Sequence, residues 1–391
     1  MPVRTADIVI IGGGIIGTSL AYHLALRKPP GLKVMLLEKR GLAEGTTGKS
    51  VATIDHQQST PLNIELRQQS RKIYLELASE FPAQIGYKPI GFLHTVTTPG
   101  AQKILERDIA LQEKMGVPVE SLSPAELHEI LPLLRVQEIL AAGFCPKDGY
   151  LDPYGATQLF ARQAQERGVE IHTDTPVLEF LTDSKGISGV QTTDGEFQAG
   201  VVVNTAGPWA PKLFELAGLH LPLKLVRGEI VALKPPKLHP YIFPMTLNVE
   251  STFYFREETG GVVLLGRLDT DFNAPRPPTD PDDYYGWEQK PSDAHRSFAF
   301  RMLETFLPAL LDAPTHKGWV GLRTVTPDAH PLLGRTPRPG LLCAVGFSGT
   351  GIQIGPACSA HLAEYILNGK ESEVLKSFGI ERLASEKSAH V

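Results

Sequence analysis

Hydrophobic residues near the start of the chain form two short runs, separated by a glycine-rich turn and a helical segment. The first run covers residues 7–11, and the pattern GGGIIG, residues 12–17, follows at once. Residues 18–27 have helical composition, and the second run, 33–37, ends at Glu38. This order of strand, glycine turn, helix, strand and acidic residue is typical of a βαβ unit that binds a dinucleotide.

The glycines of this turn have separate physical roles. Gly12 permits the tight turn, Gly14 lets a pyrophosphate approach the backbone, and Gly17 lets the helix pack closely on the strand. The first helical turn, which includes Ile16, directs free amides and a positive dipole end at the phosphates. Glu38 lies 21 residues after Gly17. Its carboxylate would accept both hydroxyls of an adenosine ribose and repel a 2′-phosphate, which argues against NADP.

The rest of the hydrophobic pattern predicts helices and strands in alternating blocks. Helices are predicted over 62–81, 101–115, 124–131, 296–306 and 356–367. Strands are predicted over 170–180, 187–192, 196–203, 223–267 and 341–346, with an Asp-Gly hairpin turn at 194–195. Residues 274–291 are rich in Pro and Asp and are predicted to be a surface loop.

Segments of the nucleotide-binding type therefore occur at the start, the middle and the end of the chain, with β-rich segments between them. We expect a discontinuous cofactor domain of residues 1–85, 145–220 and 318–391, and a substrate domain of residues 86–144 and 221–317. The predicted fold class is α/β plus α+β, with a Rossmann-type, ββα-containing domain interleaved with a β-sheet domain.

Composition narrows the class of protein. A chain of 391 residues suggests about two domains. The net charge of -5, without a basic stripe, argues against nucleic acid as a partner. The three cysteines, Cys145, Cys343 and Cys358, are too far apart for a CxxC motif, and the histidines form no HExxH motif, so no metal is expected. The absence of a signal peptide and of a long apolar run predicts a cytoplasmic protein, with peripheral membrane association left open.

Three further glycine-containing motifs follow predicted strands or loops. GTTGKS, residues 45–50, resembles the end of a phosphate-binding P-loop, but Ala43 stands where that loop needs its first glycine, so an NTP site is disfavoured. NTAGPWA, residues 204–210, predicts either a turn that closes over the cofactor or a simple strand-to-helix turn. GFSGTGIQ, residues 346–353, opens a helix whose N-terminus would suit the negative charge of a reduced flavin.

An arginine lies between apolar residues in WVGLRTVTPD, residues 319–328. A buried Arg323 needs a partner, because an unpaired buried charge is costly. The spacing leaves two partners open, a structural carboxylate or the carboxylate of a substrate.

These motifs, in this order, resemble the D-amino acid oxidase superfamily of flavoproteins, and in particular glycine oxidase, sarcosine oxidase and dimethylglycine dehydrogenase. The resemblance extends from about residue 5 to residue 383. It implies FAD as cofactor and carries over the following assignments. FAD is held by Gly12, Gly14, Ile16, Gly17, Glu38, Lys39, Arg40, Thr46, Thr47, Lys49, Ser50, Val177, Ala206, Gly207, Trp209, Gly349, Thr350, Gly351, Ile352 and Gln353. Arg323 matches the arginine that binds a substrate carboxylate, and Tyr254 matches a substrate-side tyrosine.

Two departures from the family bear on the chemistry. Lys49 stands at the position of the histidine that attaches FAD in dimethylglycine dehydrogenase-like members, and Gly321 at that of the attaching cysteine in monomeric sarcosine oxidase. We therefore expect FAD to be non-covalent. The lysine that activates oxygen in sarcosine oxidase has no clear counterpart near residues 262–265, which puts oxidase activity in doubt.

The resemblance implies oxidation of a small amine or amino acid of the glycine, sarcosine, D-amino acid or proline type, by hydride transfer to flavin N5 and hydrolysis of the imine. The acceptor would be O2, a quinone or an electron-transfer protein, and assembly as a homo-oligomer is left open. His56 is a candidate for holding the amine neutral, or a solvated loop histidine. Two alternatives stay open: an FAD-dependent 2-hydroxy acid dehydrogenase, and the FAD subunit of a hetero-oligomeric amino-acid dehydrogenase complex.

Overall fold

The computed structural model describes residues 3–236, 243–273, 279–285 and 289–385. The strands are β1 Val3–Ile11, β2 Val34–Leu37, β3 Thr53–Ile54, β4 Phe92–Val96, β5 Glu120–Leu122, β6 Ala141–Cys145, β7 Gly149–Tyr150, β8 Val169–His172, β9 Val177–Asp183, β10 Gly186–Thr192, β11 Gly195–Asn204, β12 Lys224–Leu233, β13 Met245–Asn248, β14 Phe253–Glu258, β15 Val262–Arg267, β16 Thr315–Val325, β17 Leu332–Arg335 and β18 Leu341–Val345. The helices are α1 Ile15–Arg27, α2 Pro61–Glu80, α3 Pro82–Ile85, α4 Pro99–Lys114, α5 Pro124–Ile130, α6 Pro153–Gln165, α7 Ala210–Leu216, α8 Asp293–Phe306, α9 Gly351–Asn368, α10 Glu373–Phe378 and α11 Arg382–Ser385.

The first sheet has a parallel centre in the order β18-β11-β1-β2-β8, with β17 antiparallel at one edge. Strands β10 and β9 extend it in antiparallel fashion from the first half of β11. Both faces of β1 are buried: Ile8 and Ile10 pack among residues of α1, α6 and α9, whereas Val9 and Ile11 pack toward α7. Burial on both faces explains why this strand is a continuous hydrophobic run.

The second sheet has the order β16-β12-β15-β14-β13-β4-β6-β5 and is antiparallel except at the β13–β4 pair. Its strands come from residues 92–145 and 224–325, between the pieces that build the first sheet. The α/β plus α+β class predicted from the sequence is confirmed. The domain boundaries stay a prediction, and β16, which begins at Thr315, pairs within the second sheet.

Most of the predicted elements are confirmed, and two differ for physical reasons. The predicted strand 170–180 is two strands, because the chain turns at Asp174, whose φ is +53°, and Pro176 has no amide to pair. The predicted helix 356–367 begins at Gly351 instead. Pro356 is tolerated inside this helix because the carbonyl oxygen of Ile352, which loses its helical donor, accepts a hydrogen bond from the Tyr74 hydroxyl at 2.9 Å.

The predicted surface loop 274–291 is only partly described, since residues 274–278 and 286–288 lie outside the described residues. Its middle contains a short 3₁₀ helix, Pro281–Tyr284. In the part of the chain that the structure describes, no helix has the length and hydrophobicity to cross a bilayer.

Candidate functional site

A cavity of about 340 Å³ opens at the carboxyl ends of the parallel strands β1, β2, β11 and β18. Turns that follow these strands form its walls, and the start of β9 closes one end. In open α/β sheets, ligands bind at this edge. Of the residues predicted to hold FAD, the following line this first cavity: Gly12, Gly14, Ile16, Glu38, Lys39, Thr46, Thr47, Ser50, Val177, Ala206, Gly207, Trp209, Gly349, Gly351 and Ile352.

The glycine turn after β1 is shaped by close backbone contacts. Gly12 has a φ of +113°, and a Cβ there would lie 2.7 Å from the Thr205 carbonyl oxygen. A Cβ at Gly17 would lie 1.9 Å from the Gly12 carbonyl oxygen, so the packing of α1 on the turn needs this glycine, although Gly17 does not line the cavity. The N-cap residue of helix α1, Gly14, provides no side-chain cap, and apart from the Ile15 amide, which donates to the Thr47 hydroxyl, the first-turn amides are left for a ligand phosphate.

Glu38 lies at the end of β2 with its carboxylate facing this turn. Its Oε2 accepts a hydrogen bond from the Gly13 amide at 2.6 Å, and its Oε1 accepts one from the Arg40 amide at 2.9 Å. Burial raises the pKa of Glu38, and these two amides oppose the shift. Arg40 itself does not line the cavity: its guanidinium lies over the Tyr285 ring, 4.1 Å from the centroid.

The described middle of the predicted surface loop forms part of the cavity rim. Asp282 and Tyr285 line the cavity beside Lys39 and Trp209. Asp282 forms ion pairs with Lys39 and Lys212, and it accepts a hydrogen bond from the Trp209 indole. This role could not be predicted from the sequence, because a Pro- and Asp-rich composition does not show which distant residues a loop will contact.

The segment 45–50 is held by contacts to other elements. The Thr47 hydroxyl accepts a hydrogen bond from the Ile15 amide at 3.1 Å, and the Thr46 hydroxyl donates to the Leu322 carbonyl oxygen at 2.6 Å. Lys49 does not line the first cavity. Its buried ammonium donates to the Tyr284 carbonyl oxygen, and burial lowers the pKa of Lys49.

A second cavity, of about 350 Å³, lies between the first cavity and the second sheet. Its lining includes four of the predicted site residues that do not line the first cavity: Lys49, Tyr254, Thr350 and Gln353. The two cavities meet at residues that line both of them: Thr46, Ser50, Arg323, Ser348, Gly349 and Ile352. Helix α9 begins at this junction without a side-chain cap.

Arg323 and Tyr254 are brought together at the second cavity. Arg323 Nη1 donates to the backbone carbonyl oxygens of Arg267 at 3.3 Å and Asp269 at 3.4 Å. Among the residues that the structure describes, no carboxylate lies within ion-pair distance of its guanidinium. Burial raises the pKa of Tyr254, and the positive charge of Arg323 opposes this shift.

Four charged or titratable residues of the second cavity were missed by the sequence analysis, Asp55, Arg67, His94 and His330, and the first three lie on separate segments of the chain. Asp55 follows β3, Arg67 lies on α2 and His94 lies on β4, so their proximity depends on tertiary structure. Burial acts to raise the pKa of Asp55, but His94, Arg67 and the Gln57 amide together hold it below its usual value. Two features of the sequence could have indicated these residues: a histidine lies inside the apolar run 92–96, and an arginine lies beside the apolar face of α2.

His56 lines neither of these cavities, although the sequence analysis made it a candidate for the substrate side. Its amide donates to Asp148 Oδ2 at 2.8 Å, and its ring Nδ1 lies 2.5 Å from Asp148 Oδ1. The side chains of both residues are buried. The turn after β6 therefore engages the imidazole of His56 outside both cavities.

The chemistry of the first cavity fits FAD. Helix α1 offers amides to a pyrophosphate, Glu38 offers a carboxylate to ribose, and the uncapped start of α9 faces the junction with the second cavity. Glycines at positions 12 and 349 keep side chains out of the turns, and a Cβ at Gly349 would lie 3.3 Å from Arg323 Cδ. Within the described ranges, no three His, Cys, Asp or Glu side chains are grouped as metal ligands.

The sequence is similar to proteins of known activity. Human mitochondrial sarcosine dehydrogenase is 28% identical over 99% of this chain and 42% of its own length. Rat mitochondrial dimethylglycine dehydrogenase is 30% identical over 93% of this chain and 43% of its own length. The chain therefore spans less than half the length of these curated relatives.

Solved structures share the fold over nearly the whole chain. L-proline dehydrogenase from P. horikoshii has a TM-score of 0.88 and 29% identity, covering 99% of both chains. Glycine oxidase from Geobacillus kaustophilus has a TM-score of 0.80 and 26% identity, covering 96% of this chain and 98% of its own. The family model described as "FAD dependent oxidoreductase" (DAO) matches residues 7–365. The chain thus belongs to the DAO family of FAD-dependent oxidoreductases.

Proposed function

We propose that the protein oxidises a small amine or amino acid at a CH–NH group. The observation that carries this proposal is Arg323, a half-buried cation that lines both cavities and has no carboxylate partner among the described residues. A guanidinium in this state is prepared to bind a carboxylate through two parallel hydrogen bonds. The names of the relatives support the proposal, since sarcosine, dimethylglycine, proline and glycine all combine a carboxylate with an amine.

The residues of the junction would orient the substrate. Arg323 would hold the carboxylate, and Tyr254, which is 4% exposed, would form the wall beside it. The backbone carbonyls of Arg267 and Asp269 hold the guanidinium in place before substrate arrives, which reduces the entropy lost on binding. FAD, when bound, supplies the two-electron acceptor for the hydride of the substrate.

We propose that FAD is bound without a covalent link. The two positions that carry the attaching histidine or cysteine in covalent members of the family are Lys49 and Gly321 here, and the described lining of the first cavity contains no cysteine and no histidine. Denaturation in acid followed by centrifugation tests this point. FAD absorbance is expected in the supernatant, and yellow colour that stays with the precipitate would contradict it.

The proposed function is tested by anaerobic bleaching of the protein-bound FAD. Glycine, sarcosine, dimethylglycine, L-proline, D-amino acids and 2-hydroxy acids are added separately, and the loss of flavin absorbance is followed. We expect bleaching by at least one amine that carries a carboxylate. Bleaching by hydroxy acids alone would replace the proposal with a 2-hydroxy acid dehydrogenase, and no bleaching at all would favour a subunit that needs a partner chain.

The same screen in air identifies the electron acceptor. Peroxide formed during turnover would show that O2 accepts the electrons. Bleaching without peroxide would point to a quinone or an electron-transfer protein instead.

A further inference from the structure

Amine oxidation by hydride transfer needs the amine in its neutral form, because an ammonium nitrogen has no lone pair to form the imine. Most amino acids carry an ammonium group near neutral pH, so some group must accept its proton. His56, the candidate from the sequence, lies outside both cavities. The second cavity contains another histidine, His94, beside a carboxylate.

His94 and Asp55 form a pair that opens into the second cavity. His94 Nε2 lies 3.4 Å from Asp55 Oδ2, and the His94 side chain is 12% exposed. Since Nε2 faces the carboxylate, Nδ1 is the ring nitrogen left to meet a ligand. No well-aligned hydrogen bond joins Nε2 to the described residues. A proton arriving on the ring would draw the imidazolium and the carboxylate together, as catalytic contacts often tighten only with substrate.

Asp55 is held in position by groups that follow it in the chain. Its Oδ1 accepts a hydrogen bond from the Gln57 amide at 2.8 Å, and its Oδ2 accepts one from Gln58 Nε2 at 3.2 Å. Arg67 Nη1 lies 3.8 Å from Oδ2 and donates to the Asp55 carbonyl oxygen at 2.8 Å. The carboxylate is therefore a fixed negative charge next to the imidazole, and its function in the pair is to position and stabilise the ring.

The strands that flank His94 place no charged residue opposite it, so the charges around it come from other elements. Strands β13 and β6, which flank β4, place Leu247 and Gly143 opposite His94 in the sheet register. The Phe92 ring meets the imidazole edge-on, 5.0 Å away between centroids. Among the described residues, the charged or titratable groups near the pair or on the same cavity include Asp55, Arg67, Asp148 (which acts on Arg67), Cys145 on β6 (on which Asp55 acts), Lys49, Tyr254, Arg323 and His330.

We propose that His94, positioned by Asp55, accepts the ammonium proton of the substrate in the second cavity. In this step one N–H bond of the ammonium breaks, its electron pair stays on nitrogen as the lone pair, and the proton binds Nδ1 of His94. The step needs no oxidant. It rests on the proposed function, and it extends the substrate recognition from a carboxylate at Arg323 to an ammonium group at His94.

The test is the pH dependence of flavin bleaching in a His94→Gln variant, measured with the FAD-loaded protein and the best amine from the screen. Positioned bases contribute about a hundredfold or more in rate, so we expect about a hundredfold slower bleaching near pH 7. The rate should then rise about tenfold per pH unit, because the neutral fraction of the free amine grows by that factor until its own pKa is reached. A His94→Gln profile that parallels that of the wild type would overturn the proposal.

Further measurements keep the test independent of folding. His361, which lines neither of the two cavities, gives a matched control: His361→Gln should bleach at the wild-type rate. Acetate, which has no amine, should perturb the flavin spectrum with the same Kd in His94→Gln and wild type. If His94→Gln does not retain FAD, Asp55→Asn replaces it and should show the same steepening with pH.

The outcomes separate this proposal from the proposed function. Wild-type protein that no amine bleaches contradicts both. Wild-type protein bleached by an amine, with an unchanged pH profile in both variants, contradicts the His94 proposal alone.

Discussion

The indole Nε1 of Trp209 donates a hydrogen bond to Asp282 Oδ1 over 2.8 Å. This contact joins the turn after β11 to the segment between β15 and α8. Lys39 and Lys212 meet the same carboxylate from the first-sheet side. Burial alone would raise the pKa of Asp282, but these three partners hold it far below its usual range. The carboxylate thus closes the rim of the first cavity.

Replacing Asp282 with Asn should weaken FAD binding. Each exposed ion pair contributes up to about 1 kcal/mol, so we expect about a fivefold increase in the Kd of FAD at low salt. Screening weakens such pairs, and the difference from wild type should shrink at high salt. Quenching of FAD fluorescence on binding measures both values. Asp312→Asn, an exposed change outside the cavities, serves as control; an equal salt dependence in Asp282→Asn and wild type would contradict the prediction.

Arg323→Ala should impair substrates that carry a carboxylate. Loss of a desolvated carboxylate clamp costs about 2–5 kcal/mol, which predicts at least about a thirtyfold rise in the KM of the amino acid identified by the bleaching screen. An amine without a carboxylate should react equally well with both proteins. Arg296→Ala, on the exposed side of α8, is the matched control for loss of one positive charge. An unchanged KM in Arg323→Ala would rule out the clamp.

FAD affinity should depend on pH through Glu38. Burial raises the pKa of this carboxyl group in the free protein. Ribose hydroxyls donate to the ionised form, so bound FAD would lower that pKa. A ligand that lowers a pKa binds more tightly as the pH rises through that range. We therefore expect the Kd of FAD to increase as the pH falls below neutral, and Glu38→Gln to remove this dependence.

Two glycines allow the destabilisation caused by a steric clash to be measured separately from that caused by backbone strain. Gly12 and Gly31 both have positive φ, +113° and +87°, but a Cβ at Gly12 would lie 2.7 Å from the Thr205 carbonyl oxygen, whereas at Gly31 it would meet nothing within 4 Å. Backbone strain costs about 1–3 kcal/mol at such positions. Gly12→Ala should therefore lower the free energy of unfolding by more than Gly31→Ala does. Urea titrations measure both; equal losses would show that the clash relaxes freely.

Local signals made much of the first sheet predictable. The β1–α1–β2 unit combines a continuous hydrophobic run, a glycine turn and an acidic residue within 38 positions. Each of these features predicts the local structure of the residues around it. The break between β8 and β9 was missed although Pro176 is a local signal for it, and a distant contact also fixes it: the Thr175 amide donates to the Glu38 carbonyl oxygen at 2.8 Å. The strand propensity of residues 170–180 does not indicate that partner.

The second cavity was predictable only through the family resemblance, and only in part. Arg323 and Tyr254 came from motifs, whereas Asp55 and His94 come from segments that meet when β4 joins the second sheet. His56 was predicted to lie on the substrate side because it follows the cofactor loop. Its neighbour Asp55 faces the second cavity, while the His56 ring contacts Asp148 on the other side of the chain. Adjacent residues in this loop thus point their side chains in different directions. The amino-acid composition of the loop does not show which of them faces the cavity.

The hydrogen bond from Thr46 to the Leu322 carbonyl oxygen ties the cofactor loop to the residue that precedes Arg323. A carboxylate that binds Arg323 therefore contacts the same stretch of β16 to which the cofactor loop is hydrogen-bonded. When two ligands contact the same structural element, the binding of one changes the affinity for the other, and this coupling is reciprocal. A bound carboxylate should lower the Kd of FAD by the same factor by which FAD lowers that of the carboxylate, and Thr46→Val should reduce both factors together.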